Sequence, residues 1–198
     1  GASRIVARDA LRTLEALGIV EIRAGAGGGA RIARGNPRLF AEALAVQLEL
    51  TGVSVAEIME AQRAIETQAA ESAAARADAS DVARLHALCD EAAGCLDDAD
   101  AFTRSSQAFH LAVAEAAHNR VLQFQLISLQ HVAWPSRNRS LTRPVAEQIL
   151  AVHRELAAMI EARDGEGARR LMDVHVQMIR DRRLAERPSD VRSEPGCC

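Results

Sequence analysis

Apolar residues recur at helical spacing along most of the chain, which predicts a mainly α-helical protein. Residues 3–17 form one such amphipathic pattern, and Gly18 is placed to end that helix as the residue after its C-cap. Two short alternating runs follow at 19–23 and 30–34, and the stretch between them is rich in glycine. These runs predict a small β-hairpin, the one β element that the pattern indicates.

Beyond Asn36-Pro37, a dipeptide that favours a turn, the pattern is helical throughout. Ser54 followed by Glu57 predicts a capping box, and Ser80 is expected to start the next helix. Asp164-Gly165 predicts a short turn that makes the last two helices antiparallel neighbours. The predicted helices of this part span 38–50, 54–76, 80–96, a segment around His110, 120–134, 145–163 and 166–186.

The helix and hairpin before Asn36 have the order of the second half of a winged helix-turn-helix, in which a helix reads the major groove of DNA and the hairpin is the wing. Residues 1–34 contain six arginines and three acidic residues, which gives +3, and the remainder contains 18 basic and 24 acidic residues, which gives −6. A basic end on an acidic body suggests a nucleic-acid contact, although a solvated charged face is the alternative.

The expected fold class is therefore mainly α, with a partial winged helix-turn-helix (a helix plus a two-stranded wing) followed by an all-helical antiparallel bundle. We expect residues 1–35 to be the C-terminal part of a DNA-binding domain. Residues 36–186 would form a helical domain for ligand or metal binding and dimerisation, and residues 187–198 a disordered tail.

Composition supports a helical core without a membrane span. The 198 residues are 48% hydrophobic but only 3% aromatic, so the core must be built mainly from Ala, Leu, Val and Ile, which suits close-packed helices. No apolar run approaches the ~20 residues that cross a bilayer. The four cysteines do not form the pattern of a disulfide framework. We therefore expect a reduced, cytoplasmic protein with no membrane contact.

His110, His153 and His175 each lie in the apolar stripe of a different predicted helix. Three separate buried imidazoles would each need partners for a donor and an acceptor, and one shared metal ion would remove that cost. Imidazole suits zinc, nickel, copper and iron. The spacing therefore favours a metal site, and three separately hydrogen-bonded histidines remain the alternative.

Three functions fit these features. A ligand-responsive DNA-binding regulator uses both the basic helix and the histidines. A metal-dependent hydrolase-type enzyme would use the histidines alone, and a metal-free helical dimerisation module would use neither. No carboxylate in the helices that carry the histidines stands at an obvious general-base spacing from them, so we expect that the protein is not an enzyme.

Three stretches of the sequence resemble a known protein family. SRIVARDALRTLEALGIVEIRAGAGGGARIA resembles the recognition helix and wing of GntR-family transcriptional regulators. EAQRAIETQAAESAA and QAFHLAVAEAAHN, together with His153 and His175, resemble the helical effector domain of the FadR-type subfamily, called the FCD domain. The resemblance covers nearly the whole chain.

The resemblance implies a homodimer that binds a double-stranded DNA operator, holds a divalent metal ion and responds to a small carboxylate effector. Zinc and nickel are the favoured ions. By position, it implies metal ligands at His110, His153 and His175. The DNA-facing residues that it implies are Ser3, Arg4, Val6 and Arg8, with Gly27 at the tip of the wing.

The chain departs from the family pattern in three places. Ser106 stands where the family has an aspartate ligand, which predicts weaker metal binding. Gln62 stands four residues before Glu66, where the family often has arginine, and Arg63 lies beside it. Gln62, Arg63 and Ser106 are therefore the candidate ligand-binding residues. The family's DNA-binding domain has two further helices before this one, so we expect this fragment to bind DNA weakly by itself.

Overall fold

In a computed structural model that describes residues 3–25, 27–133 and 141–186, the chain forms eight helices and one two-stranded sheet. The predicted mainly α fold class is confirmed. In chain order the elements are α1 (Arg4–Ala16), β1 (Val20–Arg23), β2 (Gly29–Ile32), α2 (Pro37–Leu50), α3 (Val55–Arg76), α4 (Ala79–Ala93), α5 (Ala99–Ala116), α6 (Arg120–Ala133), α7 (Arg143–Glu161) and α8 (Gly165–Glu186).

α1 begins and ends with local signals in the sequence. The Ser3 side chain accepts a hydrogen bond from the backbone of Val6 at 3.3 Å and caps the first turn. At the other end, Gly18 adopts φ +69°, and the Ile19 amide donates to the Leu14 carbonyl at 2.9 Å. This Schellman geometry favours a residue without a β-carbon, so Gly18 ends the helix as the sequence predicts.

β1 and β2 form an antiparallel hairpin. Val20 pairs with Ile32 at its open end and Arg23 pairs with Gly29 next to the tip. Gly27, in the connection, has φ +91°. The hairpin is anchored to α1, because Glu15 accepts a hydrogen bond from the Ile22 amide at 3.2 Å. Helix and wing therefore form one connected unit.

α3 is the central helix of the bundle, since it packs against α5, α6, α7 and α8. The predicted capping box starts it: the Ser54 amide donates to Glu57 at 2.8 Å, and the Glu57 amide donates to the Ser54 hydroxyl at 3.2 Å. Its inward face is rich in small side chains, which let neighbouring helices approach closely. Four of its fully buried alanines are Ala69, Ala70, Ala73 and Ala74.

The predicted N-cap of α4 is wrong by two residues. Asp78, not Ser80, is the N-cap, and its Oδ1 accepts from the amides of Ser80 at 2.7 Å and Asp81 at 3.0 Å. Asp81 closes a capping box by accepting from the Asp78 amide. The carboxylate of Asp78, the residue immediately before the helix, satisfies two free amides of the first turn, so the helix starts earlier than Ser80 would start it.

α7 and α8 form the predicted antiparallel hairpin. Their connection contains Arg163, at φ +62°, and Asp164, whose carboxylate accepts from the Gly167 amide at 2.8 Å. The helices otherwise end within a few residues of the predicted bounds. The predicted disordered tail, residues 187–198, lies outside the described residues. Among the helices that are described, none has both the length and the apolar character that crossing a bilayer requires.

Candidate metal centre

Three histidines from three helices converge in the core of the bundle. His110 comes from α5, His153 from α7 and His175 from α8, and each side chain is buried. One ring nitrogen from each lies within 4.8 Å of those of the other two. The helical period places each histidine on the buried face of its own helix, and the packing of α5 and α8 on α7 brings those faces together.

The distances between the three rings fit a shared metal ion. His153 Nε2 and His175 Nε2 are 3.1 Å apart, and the three ring centroids are separated by 5.0 to 5.2 Å. Two nitrogens that bind one zinc ion at ~2.0–2.1 Å lie about 3 Å from each other. The predicted convergence of the three imidazoles is therefore present.

Packing holds one imidazole in place. Phe109, from α5, stacks on His153 with centroids 4.2 Å apart and ring planes only 9° from parallel. Burial lowers the pKa of His153 well below 6.5, and positive charge on His110 or His175 would lower it further. Burial, followed by the effect of His110, lowers the pKa of His175 to about 3. Both rings are therefore neutral near pH 7, the form that binds a metal ion.

A carboxylate that the sequence analysis did not place at the site lies against the histidines. Glu66, buried on α3, contacts His110 Nδ1 through its Oε2, and its Oε1 accepts a hydrogen bond from Gln62 Nε2 at 2.6 Å. Glu66 lies on α3, so it does not bear on the expectation, which concerned carboxylates on the helices that carry the histidines. Spacing along the chain could not reveal Glu66, because it reaches the site from a helix that carries no histidine.

The candidate ligand-binding residues occupy three different environments. Ser106 is buried on α5, one turn before His110, so it lies on the same side of that helix. Gln62 is buried, and its Oε1 has no hydrogen-bond partner among the described residues. Arg63 binds elsewhere: it forms a bidentate pair with Asp173 at 2.6 and 2.7 Å, and its Nη1 donates to Gln177 at 3.0 Å.

The donor set fits a divalent transition metal. Neutral imidazoles are ligands for zinc and nickel, and a carboxylate behind one of them is a frequent partner of metal-binding histidine. His110, His153 and His175 would hold the ion. Ser106 supplies no charged oxygen at the fourth position, since a hydroxyl is a poor ligand for a divalent ion.

Another group of possible ligands lies at the surface, where α4 begins. Asp78, Asp81 and His118 bring their ligand atoms within 4.8 Å of one another, and His118 Nε2 lies 2.9 Å from Asp81 Oδ2. The aspartate oxygens already accept the hydrogen bonds that start α4. Helix capping explains this group, so we assign it a structural role.

The residues predicted to face DNA lie on α1 and the wing. Arg4, Val6 and Arg8 are exposed on α1, and none of the side chains of that helix is buried. Ser3 uses its hydroxyl to cap α1, and Gly27 lies near the tip of the hairpin. The structure thus leaves a basic helix face open next to the wing.

Comparison with known proteins places the helical part of the chain in a family. Residues 57–178 match the family model of the FCD domain. A relative from Escherichia coli strain K12, named Putative L-lactate dehydrogenase operon regulatory protein, is 37% identical over 128 residues, which cover 62% of this chain and 49% of that protein. This chain therefore spans about half the length of that relative.

Two further matches cover more of the chain and agree with this family assignment. The Uxu operon transcriptional regulator of Escherichia coli strain K12 is 28% identical over 197 residues, which cover 92% of this chain and 73% of that protein. The solved structure of Streptococcus agalactiae GntR superposes with a TM-score of 0.68, at 18% identity, over 91% of this chain and 83% of that one. At that identity the superposition shows a shared fold. Because the family model covers more than half of the chain and the relatives are regulators of this type, the chain belongs to the FCD-domain group of the GntR family of transcriptional regulators.

Proposed function

We propose that the protein is a DNA-binding transcriptional regulator whose helical domain holds a divalent metal ion and binds a small carboxylate effector beside it. The observation that carries the proposal is the convergence of three buried imidazoles in the family's effector domain. The names of two relatives, a regulator of an L-lactate dehydrogenase operon and a regulator of the Uxu operon, support an effector drawn from metabolism.

The N-terminal part would contact the operator. Residues 1–35 contain α1 and the wing, and residues 36–186 contain the bundle, so the proposed boundary lies just before α2. Arg4 and Arg8 project from an open face of α1, where they can reach base edges or phosphates, and Gly27 lets the wing approach the backbone of DNA. Ser3 and Val6 complete the proposed contact.

The helical part would sense the effector. A bound zinc or nickel ion supplies positive charge and an open position for an anion. His110, His153 and His175 would bind the ion. Ser106 and Gln62 are the polar groups proposed to meet the effector, whereas Arg63 stays paired with Asp173. Both oxygens of Glu66 are already engaged, so this carboxylate is not a free general base. That arrangement, and the regulators among the relatives, argue against a hydrolase.

Binding of the full-length regulator to DNA from the promoter of its own gene tests both halves. If Arg4 reads a guanine edge, Arg4→Ala weakens binding by ~1–3 kcal/mol and relaxes specificity at one base pair. Arg84→Ala, an exposed arginine of the bundle, is the matched control and leaves affinity unchanged. His153→Gln retains DNA binding but abolishes the response to carboxylates. Unaltered DNA binding by both Arg4→Ala and Arg8→Ala would contradict the proposal that α1 lies in the major groove.

A further inference from the structure

Glu66 determines which nitrogen of His110 can bind a metal ion. Its Oε1 accepts from Gln62 Nε2 at 2.6 Å, and its Oε2 contacts His110 Nδ1. If Glu66 is ionised, it only accepts hydrogen bonds, and His110 Nδ1 is then the donor. In neutral His110 the lone pair is then on Nε2, and this nitrogen is the one available as a ligand.

Glu66 is also the only carboxylate buried within the described part of the chain, and no arginine is buried there. The nearby cation, Arg63, has a partly exposed side chain and is paired with Asp173. A divalent ion, three neutral imidazoles and one carboxylate give a net charge of about +1 for the centre. One anionic group balances that charge, whereas further carboxylates would be buried without a partner cation.

We propose that Glu66 is a positioning residue that fixes the His110 tautomer and limits the charge of the centre, so that the site takes a monocarboxylate in preference to a dicarboxylate. The inference rests on the proposed metal site and adds to it a substrate class. Gln62 has a supporting role, since its amide holds the second oxygen of the carboxylate.

Zinc binding and ligand preference test the two parts of the inference. Glu66→Gln removes the charge at nearly constant shape, and Glu60→Gln, which changes an exposed glutamate of the same helix, is the matched control. We expect Glu66→Gln to bind Zn²⁺ about 10- to 100-fold more weakly, because outer partners of metal-binding histidine have effects of that size. Glu60→Gln should behave like the wild type in competition with a chelator.

Ligand preference is read with butyrate and succinate, which have equal carbon counts and differ by one carboxylate. The zinc-loaded wild type should bind butyrate more tightly in calorimetry. Glu66→Gln should shift the ratio of the two affinities toward succinate by about tenfold, because one buried negative charge is lost. In the zinc-loaded wild type, ¹⁵N NMR should show His110 protonated at Nδ1, a readout that does not depend on any variant folding.

The outcomes separate this inference from the proposed function. If the wild type binds zinc, and His153→Gln abolishes that binding, but Glu66→Gln matches the wild type, the role of Glu66 is wrong and the metal site stands. Coordination of zinc through His110 Nδ1 would overturn the inference in the same way. A wild type that binds no zinc would overturn the metal site and the inference together.

Discussion

At the residue scale, two buried histidines link folding to pH. The pKa of His175 is lowered to about 3 and that of His153 lies well below 6.5, in both cases chiefly because the rings are buried. In the unfolded chain both pKa values return to about 6.5. Below pH 6.5 the unfolded state therefore binds more protons than the folded state, so stability decreases as pH falls.

We expect the metal-free protein to lose stability between pH 7 and pH 5, with a slope approaching about 1.4 kcal/mol per pH unit for each of the two histidines. Urea unfolding with a chelator present measures it. The carboxylates with lowered pKa, such as Glu57 and Asp173, start from ordinary values of 4.5 and 3.8, so their contribution is lost at lower pH. His175→Gln should flatten the profile, whereas His86→Gln, at the surface, should not. A profile that is already flat in the wild type would contradict the assignment.

Ser106 offers a second test at this scale. Ser106→Asp places an anionic oxygen one turn before His110, so we expect Zn²⁺ affinity to rise by more than about tenfold and preference for an anionic ligand to fall. Ser105→Asp adds the same charge next to it, on a side chain whose hydroxyl bonds the Leu88 carbonyl, and should not tighten the metal. Equal effects of the two variants would mean that Ser106 does not face the ion.

The histidines could be predicted from sequence, whereas Glu66 could not. Each histidine lies at a position of the apolar stripe of its own helix, so the local sequence predicts that its side chain faces the core. Glu66 is 44 residues from His110, and a glutamate in a helix usually lies at the surface. The pairing of Gln62 with Glu66 one turn apart is a local signal, but it is equally typical of a solvated face.

At the element scale, the ends of helices depend on a few side-chain oxygens. The stretch in which α4 begins contains Asp78, Ser80 and Asp81, and each can cap a helix. Sequence could not choose between them, because the choice depends on which backbone amides the first turn leaves free. Both amides bonded by Asp78 belong to that turn. For α3, Ser54 and Glu57 are three residues apart without a competitor, and there the prediction is confirmed.

The N-cap of α4 can be tested by comparing two alanine variants. Asp78→Ala should lower the free energy of unfolding by about 0.5–2 kcal/mol, because two amides of α4 lose their acceptor. Ser80→Ala removes only a hydroxyl that donates to Asp78, so its effect should be smaller. Urea denaturation of both variants measures the difference. A larger loss for Ser80→Ala would restore Ser80 as the cap.

At the scale of the whole molecule, we expect the protein to act as a homodimer. Operators with two-fold symmetry are read by two-fold symmetric proteins, and closed dimers are the commonest assembly of this kind. Apolar side chains are exposed on α2, where Phe40 and Val46 are each about half exposed, and on α6 at Val121. α2 and α6 pack against each other, and contiguous exposed apolar patches are typical of surfaces that associate.

We therefore expect a homodimer even in the 198-residue chain. Sedimentation velocity at micromolar concentration should give a species of twice the 21.3 kDa chain mass. A mixture with a free N-terminal segment, residues 1–35, is the control, because that segment should not exchange into the assembly. A sedimenting species of chain mass at all concentrations would contradict the dimer.

The whole-molecule architecture could be predicted as far as periodicity reaches. Eight helical segments and one hairpin follow from local pattern, and the Asp164-Gly165 turn sets α7 against α8. The central position of α3 could not be predicted in this way. It follows from the small buried side chains that allow several helices to approach at once, and composition alone does not say which partners will.

The three imidazoles are divided unequally between two parts of the bundle. His153 and His175 belong to the α7–α8 hairpin, where a short turn already fixes their separation, while His110 belongs to α5. An ion that binds all three would cross-link the α7–α8 hairpin to α5. By thermodynamic reciprocity, any event that moves α5 would change the ion's affinity, and loading the ion would in turn bias the position of α5. The fraction of protein that holds the metal ion would then report the position of α5 in the regulator.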